Sequence, residues 1–177
     1  MKDIILIVSG DPNSINSEII YKSWRKLSDR IKKKIFFISN LELLKKQFKQ
    51  LNYSVKIKKV NTFNEKFKVN ELKVIDVDLN FKKPFKVLQN DASKFVISSL
   101  NKAHNLAINN RVKGIINCAI DKKLLNAGNK NLGVTEYFAS KCLLKKHKEV
   151  MLIRNKRLSV SPLTTHLYVK DISKNIK

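Results

Sequence analysis

The chain has 177 residues, 43% of them hydrophobic, enough for one sizeable core or for one core with an appendage. Lys and Arg outnumber Asp and Glu by 37 to 14, a formal charge of +23, so an acidic partner has to be weighed. No stretch is apolar for long enough to span a bilayer, and the opening run from Ile4 to Val8 is too short for a secretory leader.

The positive charge is spread from Lys2 to Lys177 and is nearly all Lys, with Arg only at Arg25, Arg30, Arg111, Arg154 and Arg157. Base readout favours the planar Arg fork, and single-strand binders interleave aromatic and basic residues. Neither arrangement stands out, and a Lys, Asn and Ile bias is what an AT-rich genome produces. Nucleic acid is therefore not the expected partner, although a non-catalytic basic nucleic-acid-binding protein remains the alternative from another class. Cys118 and Cys142 are far apart and lack metal-ligand spacing, which points to reduced thiols and a cytoplasmic setting.

Ile4 to Val8 reads as a strand buried on both faces, ended by the Ser9-Gly10-Asp11-Pro12 turn. Ile20, Trp24 and Leu27 then recur at helical spacing. Ile35 to Ile38 is a second strand, Ser39 or Asn40 can cap, and Leu41, Leu44, Phe48 and Leu51 mark a helical face. Val55, Ile57 and the pair Val74-Ile75 suggest further short strands, with residues 61–70 irregular. Asn90 or Asp91 can cap a long helix whose stripe includes Ala92, Phe95, Val96, Ser99, Leu100 and Ala103.

Gly114 to Ile120 is again a buried-strand run, Asp121 can cap a short helix through Leu125, and Ala127-Gly128 ends it. Thr135 can cap the next helix, carrying Tyr137, Phe138 and Leu143. Val150 to Ile153 and Leu158 to Leu163 are strand candidates around a polar connection of hairpin length. The fold class is α/β, a doubly wound and mostly parallel sheet that can carry an antiparallel edge, as one region over residues 1–177.

Gly10 to Ile20 lies at a strand-to-helix turn, where N–H groups can hold an anion; it is either a ligand loop or a turn that merely starts a helix. Its residues resemble the opening of the 4-hydroxythreonine-4-phosphate dehydrogenase family, Gly-Asp-Pro-Ala-Gly-Ile-Gly-Pro-Glu-Ile. Gly10, Asp11, Pro12, Ile15, Glu18 and Ile19 match, whereas Ser14 and Asn16 replace glycines and Ser17 replaces proline. Asn tolerates the left-handed region better than most residues, so the turn is expected to survive at Asn16.

A second block, Ile116 to Lys122, stands where the family has a strand-loop-helix element ending Pro-Ile-Asn-Lys, and shares chiefly Ile120 and Lys122. Gly133-Val134-Thr135-Glu136-Tyr137-Phe138-Ala139 resembles the family's Gly-His-Thr-Glu-Phe-Leu-Ala, whose His-Thr pair contacts substrate. Thr135 is an ordinary N-cap candidate, and the resemblance adds a substrate-binding role. Val134 takes the place of the family's His and can make no hydrogen bond through its side chain. The third block, Val150 to His166 and on to Asp171-Ile172, is similar to the family's strand, turn and Ala-Thr-Thr-His-Leu-Pro-Leu-Arg-Asp-Ile.

A lone His after a strand is ordinarily a surface or packed imidazole, but the resemblance implies that His166 binds a divalent metal (Zn, Mg or Co). It also implies the isocitrate/isopropylmalate dehydrogenase type of fold, of which this chain is the amino-terminal and incomplete part, and a homodimer. The implied reaction is NAD-dependent oxidation and decarboxylation of 4-phosphohydroxy-L-threonine in pyridoxal 5'-phosphate biosynthesis. Threonate 4-phosphate is the alternative substrate that Val134 suggests. Gly10, Asp11 and Lys122 are candidate ligand-loop residues, no side chain is assigned a catalytic role, and the further His ligands and most of the NAD site are expected beyond Lys177.

Overall fold

The computed structural model describes residues 3–109, 112–125, 133–142, 150–164 and 168–176. The chain divides into two compact units, Met1–Gly133 and Val134–Lys177.

The first unit is built on a five-stranded sheet in the order β3-β4-β2-β1-β5, with every pairing parallel. The strands are β1 (Ile4–Val8), β2 (Ile35–Ser39), β3 (Ile57–Lys59), β4 (Leu72–Asp76) and β5 (Val112–Asn117). Between them run α1 (Asn16–Lys26), α2 (Asp29–Lys32), α3 (Leu41–Gln50) and α4 (Gln89–Asn109). β2 is buried along its whole length because it lies mid-sheet, which is why IFFIS is a continuous apolar run rather than an alternating one.

Strand alternation sorts the core into two layers. Ile35, Phe37, Leu72 and Val74 pack with Ile20 and Trp24 of α1 and Leu44 and Phe48 of α3. Alternate residues, among them Leu6, Val8, Phe36 and Ile38, are buried too, and α4 packs on β1 and β2 with Phe95, Val96 and Leu100 inward. Helices therefore cover both faces, as a doubly wound sheet requires. Lys73 is fully buried, its ammonium 4.0 Å from the Phe36 ring centre and 3.8 Å from that of Phe67, and it donates to the Lys33 carbonyl at 2.9 Å. The two ring faces and the carbonyl replace part of the water this cation gives up.

Most predicted elements form, with boundary shifts. Asn40 is the cap of α3, accepting the Leu43 N–H at 2.8 Å. The long helix starts at Gln89, so Asn90 and Asp91 lie within its first turn. Val55 lies outside β3, whereas residues 61–70 are irregular as expected. The run from Gly114 is not a buried strand: β5 spans Val112–Asn117 at the sheet edge and is half or fully exposed throughout. An apolar run reports tolerance of burial, but only pairing decides whether a strand has neighbours on both sides.

The second unit holds α5 (Val134–Lys141), a hairpin of β6 (Ile153–Arg154) and β7 (Ser159–Val160), and α6 (Ile172–Asn175). Thr135 is therefore inside its helix and not at the cap. The hairpin is a two-stranded sheet of its own rather than an antiparallel edge, and both strands are shorter than the sequence suggests. Asn155 makes the turn, its Oδ1 accepting the N–H groups of Arg157 and Leu158 at 2.8 Å each. The predicted helix end at Ala127-Gly128 and the apolar position Leu143 lie outside the described residues.

Candidate functional site

The path of the chain creates a switch point. From β1 it proceeds through α1 to β2 on one side, and from β4 it returns through α4 to β5 on the other side of β1. Ligands of open parallel sheets bind at the carboxyl ends of strands where such a reversal occurs. Here those ends carry Ser9-Gly10-Asp11 after β1 and Cys118-Ala119 after β5.

The two segments are tied together. The Asp11 N–H donates to the Ala119 carbonyl at 3.0 Å, and Cys118 N–H to the Val8 carbonyl at 2.9 Å. Gly10 has φ of 74°, and a Cβ there would lie 2.5 Å from the Ala119 oxygen and 2.7 Å from Asn16 Nδ2. Both facts demand glycine. Asn16 does not adopt the left-handed conformation expected of it: the non-glycine residues with positive φ are Asn52 and Phe85 among the described residues. Instead it begins α1, and its buried side-chain amide donates to the Ser9 carbonyl at 2.9 Å and the Ala119 carbonyl at 2.7 Å. The side chain thus adds a second link to the backbone bonds between the loops.

The remaining polar groups of the turn are hydrogen-bonded within it and to neighbouring segments. Asp11 Oδ1 accepts the Asn13 N–H at 2.8 Å and its carbonyl accepts the Ser14 hydroxyl at 2.8 Å. Gln47 of α3 donates to the Pro12 carbonyl at 2.7 Å. Asn13 exchanges two hydrogen bonds with the backbone of Val87, at 2.9 and 2.8 Å, fixing the segment that leads into α4. The Asn13–Val87 link spans 74 positions, and no local pattern announces it. Burial pushes the Cys118 thiol up to about 11.

Of the sequence-predicted residues, Gly10 and Asp11 meet at this switch point. Lys122 follows β5 on a short 3-10 turn, Lys122–Leu125, exposed to solvent. Asp121 opens that turn, its Oδ1 accepting the Lys123 N–H at 2.9 Å. Val134 and the exposed Thr135 form the first turn of α5 in the second unit. His166 lies outside the described residues. Among the described residues, no group of three His, Cys, Asp or Glu is placed to hold a metal ion, and no helix is long and apolar enough to cross a membrane.

The chain is similar to proteins named 4-hydroxythreonine-4-phosphate dehydrogenase. That of Sulfurihydrogenibium sp. (strain YO3AOP1) is 27% identical over 97% of this chain and 52% of its own length, and that of Aquifex aeolicus (strain VF5) is 30% identical over 100% and 54%. The chain thus spans about half the length of these relatives. In fold it matches a solved structure described as a putative 4-hydroxythreonine-4-phosphate dehydrogenase from Salmonella typhimurium, with TM-score 0.85 at 22% identity over 99% of this chain and 55% of that one. The corresponding enzyme from Klebsiella pneumoniae matches with TM-score 0.81. A family profile described as pyridoxal phosphate biosynthetic protein PdxA covers residues 31–177, and with most of the chain inside that match the protein belongs to this family.

Proposed function

We propose that the full-length protein is a cytoplasmic dehydrogenase of pyridoxal 5'-phosphate biosynthesis, to which this chain contributes part. Its reaction transfers hydride from C3 of 4-phosphohydroxy-L-threonine to NAD, releases the hydroxyl proton, and is followed by loss of carbon dioxide to leave 3-amino-2-oxopropyl phosphate. The observation that carries this reading is the family match over residues 31–177, in a chain that also holds three ordered sequence blocks of that family.

Within that reading, Gly10 and Asp11 shape the floor of the substrate cleft and Lys122 offers a cation to an acidic substrate. Thr135 offers a hydroxyl at the start of α5, where the helix dipole favours a negative group. His166 is the proposed ligand to a divalent ion, which when bound would polarise the substrate oxygen. The described residues do not make a metal site, so the other ligands have to come from outside them. The exposed Val150, Met151, Leu152, Leu158 and Leu163 in and around the β6–β7 hairpin support a homodimer, since apolar side chains favour burial against a partner.

The test is the full-length protein with 4-phosphohydroxy-L-threonine, NAD and Zn, Mg or Co, followed by NADH absorbance. Activity that falls by about a hundredfold or more in His166→Ala is expected, since loss of a ligand removes the ion's charge stabilisation. No NADH with any of the three ions would refute the reading. Val134 favours a second substrate, threonate 4-phosphate, because the side-chain hydrogen bond of the family's His is missing; a higher kcat/KM on that compound would establish it.

A further inference from the structure

We propose that a second cleft, at the amino ends of the strands and away from the Gly10 turn, binds a small organic molecule carrying two or more phosphate groups. The cavity is about 770 Å³, within the range of small-ligand sites. It is lined by Tyr21, Trp24 and Arg25 of α1, Lys32 of α2, Lys56 just ahead of β3, and Lys68 and Glu71 just ahead of β4. Four cations thus surround one carboxylate in a concave space, where field lines concentrate.

One of these cations, Lys32, is held in position. Lys32 has a side chain only 12% exposed, and its ammonium lies 3.2 Å from Asn70 Oδ1 and 5.6 Å from the Trp24 ring centre, with Asp29 at 3.9 Å. The Arg25 guanidinium lies 5.9 Å from the centre of the Tyr21 ring, which itself stacks on Tyr53 at 4.0 Å and 3°. A cation already ordered loses less freedom when a ligand arrives. Glu71, the carboxylate in the cleft lining, accepts the Lys68 N–H at 2.8 Å, and no carboxylate among the described residues lies within 4.0 Å of the charged groups of Arg25, Lys56 or Lys68. The half-buried Val55 and Val69 add apolar wall for an organic portion. The volume of the cleft matches that of a small-ligand site.

Trp24 is the single tryptophan of the chain, so the cleft carries its own reporter. Titration of the full chain with ATP or with inorganic tripolyphosphate, followed by Trp24 emission and calorimetry, is expected to show saturable binding of one ATP per chain, weakened by salt. Equal affinity for tripolyphosphate would assign the site to the anion alone and overturn the organic part of the proposal. Arg25→Glu with Lys56→Glu should weaken ATP at least tenfold with the circular dichroism spectrum unchanged. Lys82→Glu with Lys83→Glu makes the same charge change outside the cleft and should leave affinity within twofold. Equal losses in both pairs, absence of saturation, or tighter competing binding of single-stranded DNA would overturn the small-ligand site.

Discussion

At Gly10 a single hydrogen atom decides whether the two halves of the switch point can meet. Gly10→Ala would combine a left-handed backbone with a Cβ 2.5 Å from the Ala119 oxygen. The expected cost is about 2 kcal/mol or more, a fall in Tm of roughly 4–8 °C by calorimetry. Asn16→Ala removes two buried donors from the Ser9 and Ala119 carbonyls and should cost about 1–3 kcal/mol in denaturant unfolding. Asn16→Gly should cost at least as much, although glycine stands at that place in the family motif, because here the side-chain amide adds two bonds to the backbone ones that join the loops.

Cys118 gives a pH signature. With its thiol pushed up to about 11, it stays protonated through neutral pH, and the reactive thiolate grows tenfold per pH unit until that value is approached. At pH 8 about one thiol in a thousand is ionised. Peptide mapping after iodoacetamide treatment should therefore show Cys118 labelled slowly at pH 8 and progressively faster towards pH 10. Rapid labelling at pH 7 would show that burial does not govern this group.

Among the elements, α3 is the best case of sequence dictating structure. Asn40 precedes an apolar helical stripe, its Oδ1 accepts the Leu43 N–H, and its Nδ2 donates to the Val77 carbonyl at 2.9 Å. Asn40→Ala should cost about 1–2 kcal/mol, measured by chemical denaturation, since a cap and a tie to the next strand end are lost together. Other elements were less legible. Thr135 has the chemistry of a cap, yet α5 begins at Val134. β5 looks as apolar as β1, but among the described residues it has a neighbour on one side only. Gly10 and Asp11 were readable as a turn because glycine and Asx chemistry act locally, whereas the Asn16–Ala119 and Asn13–Val87 bonds depend on segments brought together only by the fold.

For the molecule as a whole, the 177-residue polypeptide alone is expected to give no measurable NAD reduction. It spans about half the length of its relatives, and one histidine does not make the three-ligand site that a catalytic ion needs. NADH formed by this polypeptide would contradict that. The α/β class and the strand order of events along the chain were readable from alternating apolar runs and helical stripes, while the site was readable only in part, because its proposed members are scattered over two units.

The position of β1 has a bearing on how the protein is made. This first strand is held on one flank by β2, but its other flank is filled by β5, whose register pairs Ile4 with Val112. A nascent chain leaving the ribosome can zip up β1, β2, β3 and β4 while the second flank of β1 still shows bare amide groups to solvent. Such an open border invites pairing with a stray strand, so stalled or prematurely terminated chains that end before Val112 are the species for which a holding chaperone matters most.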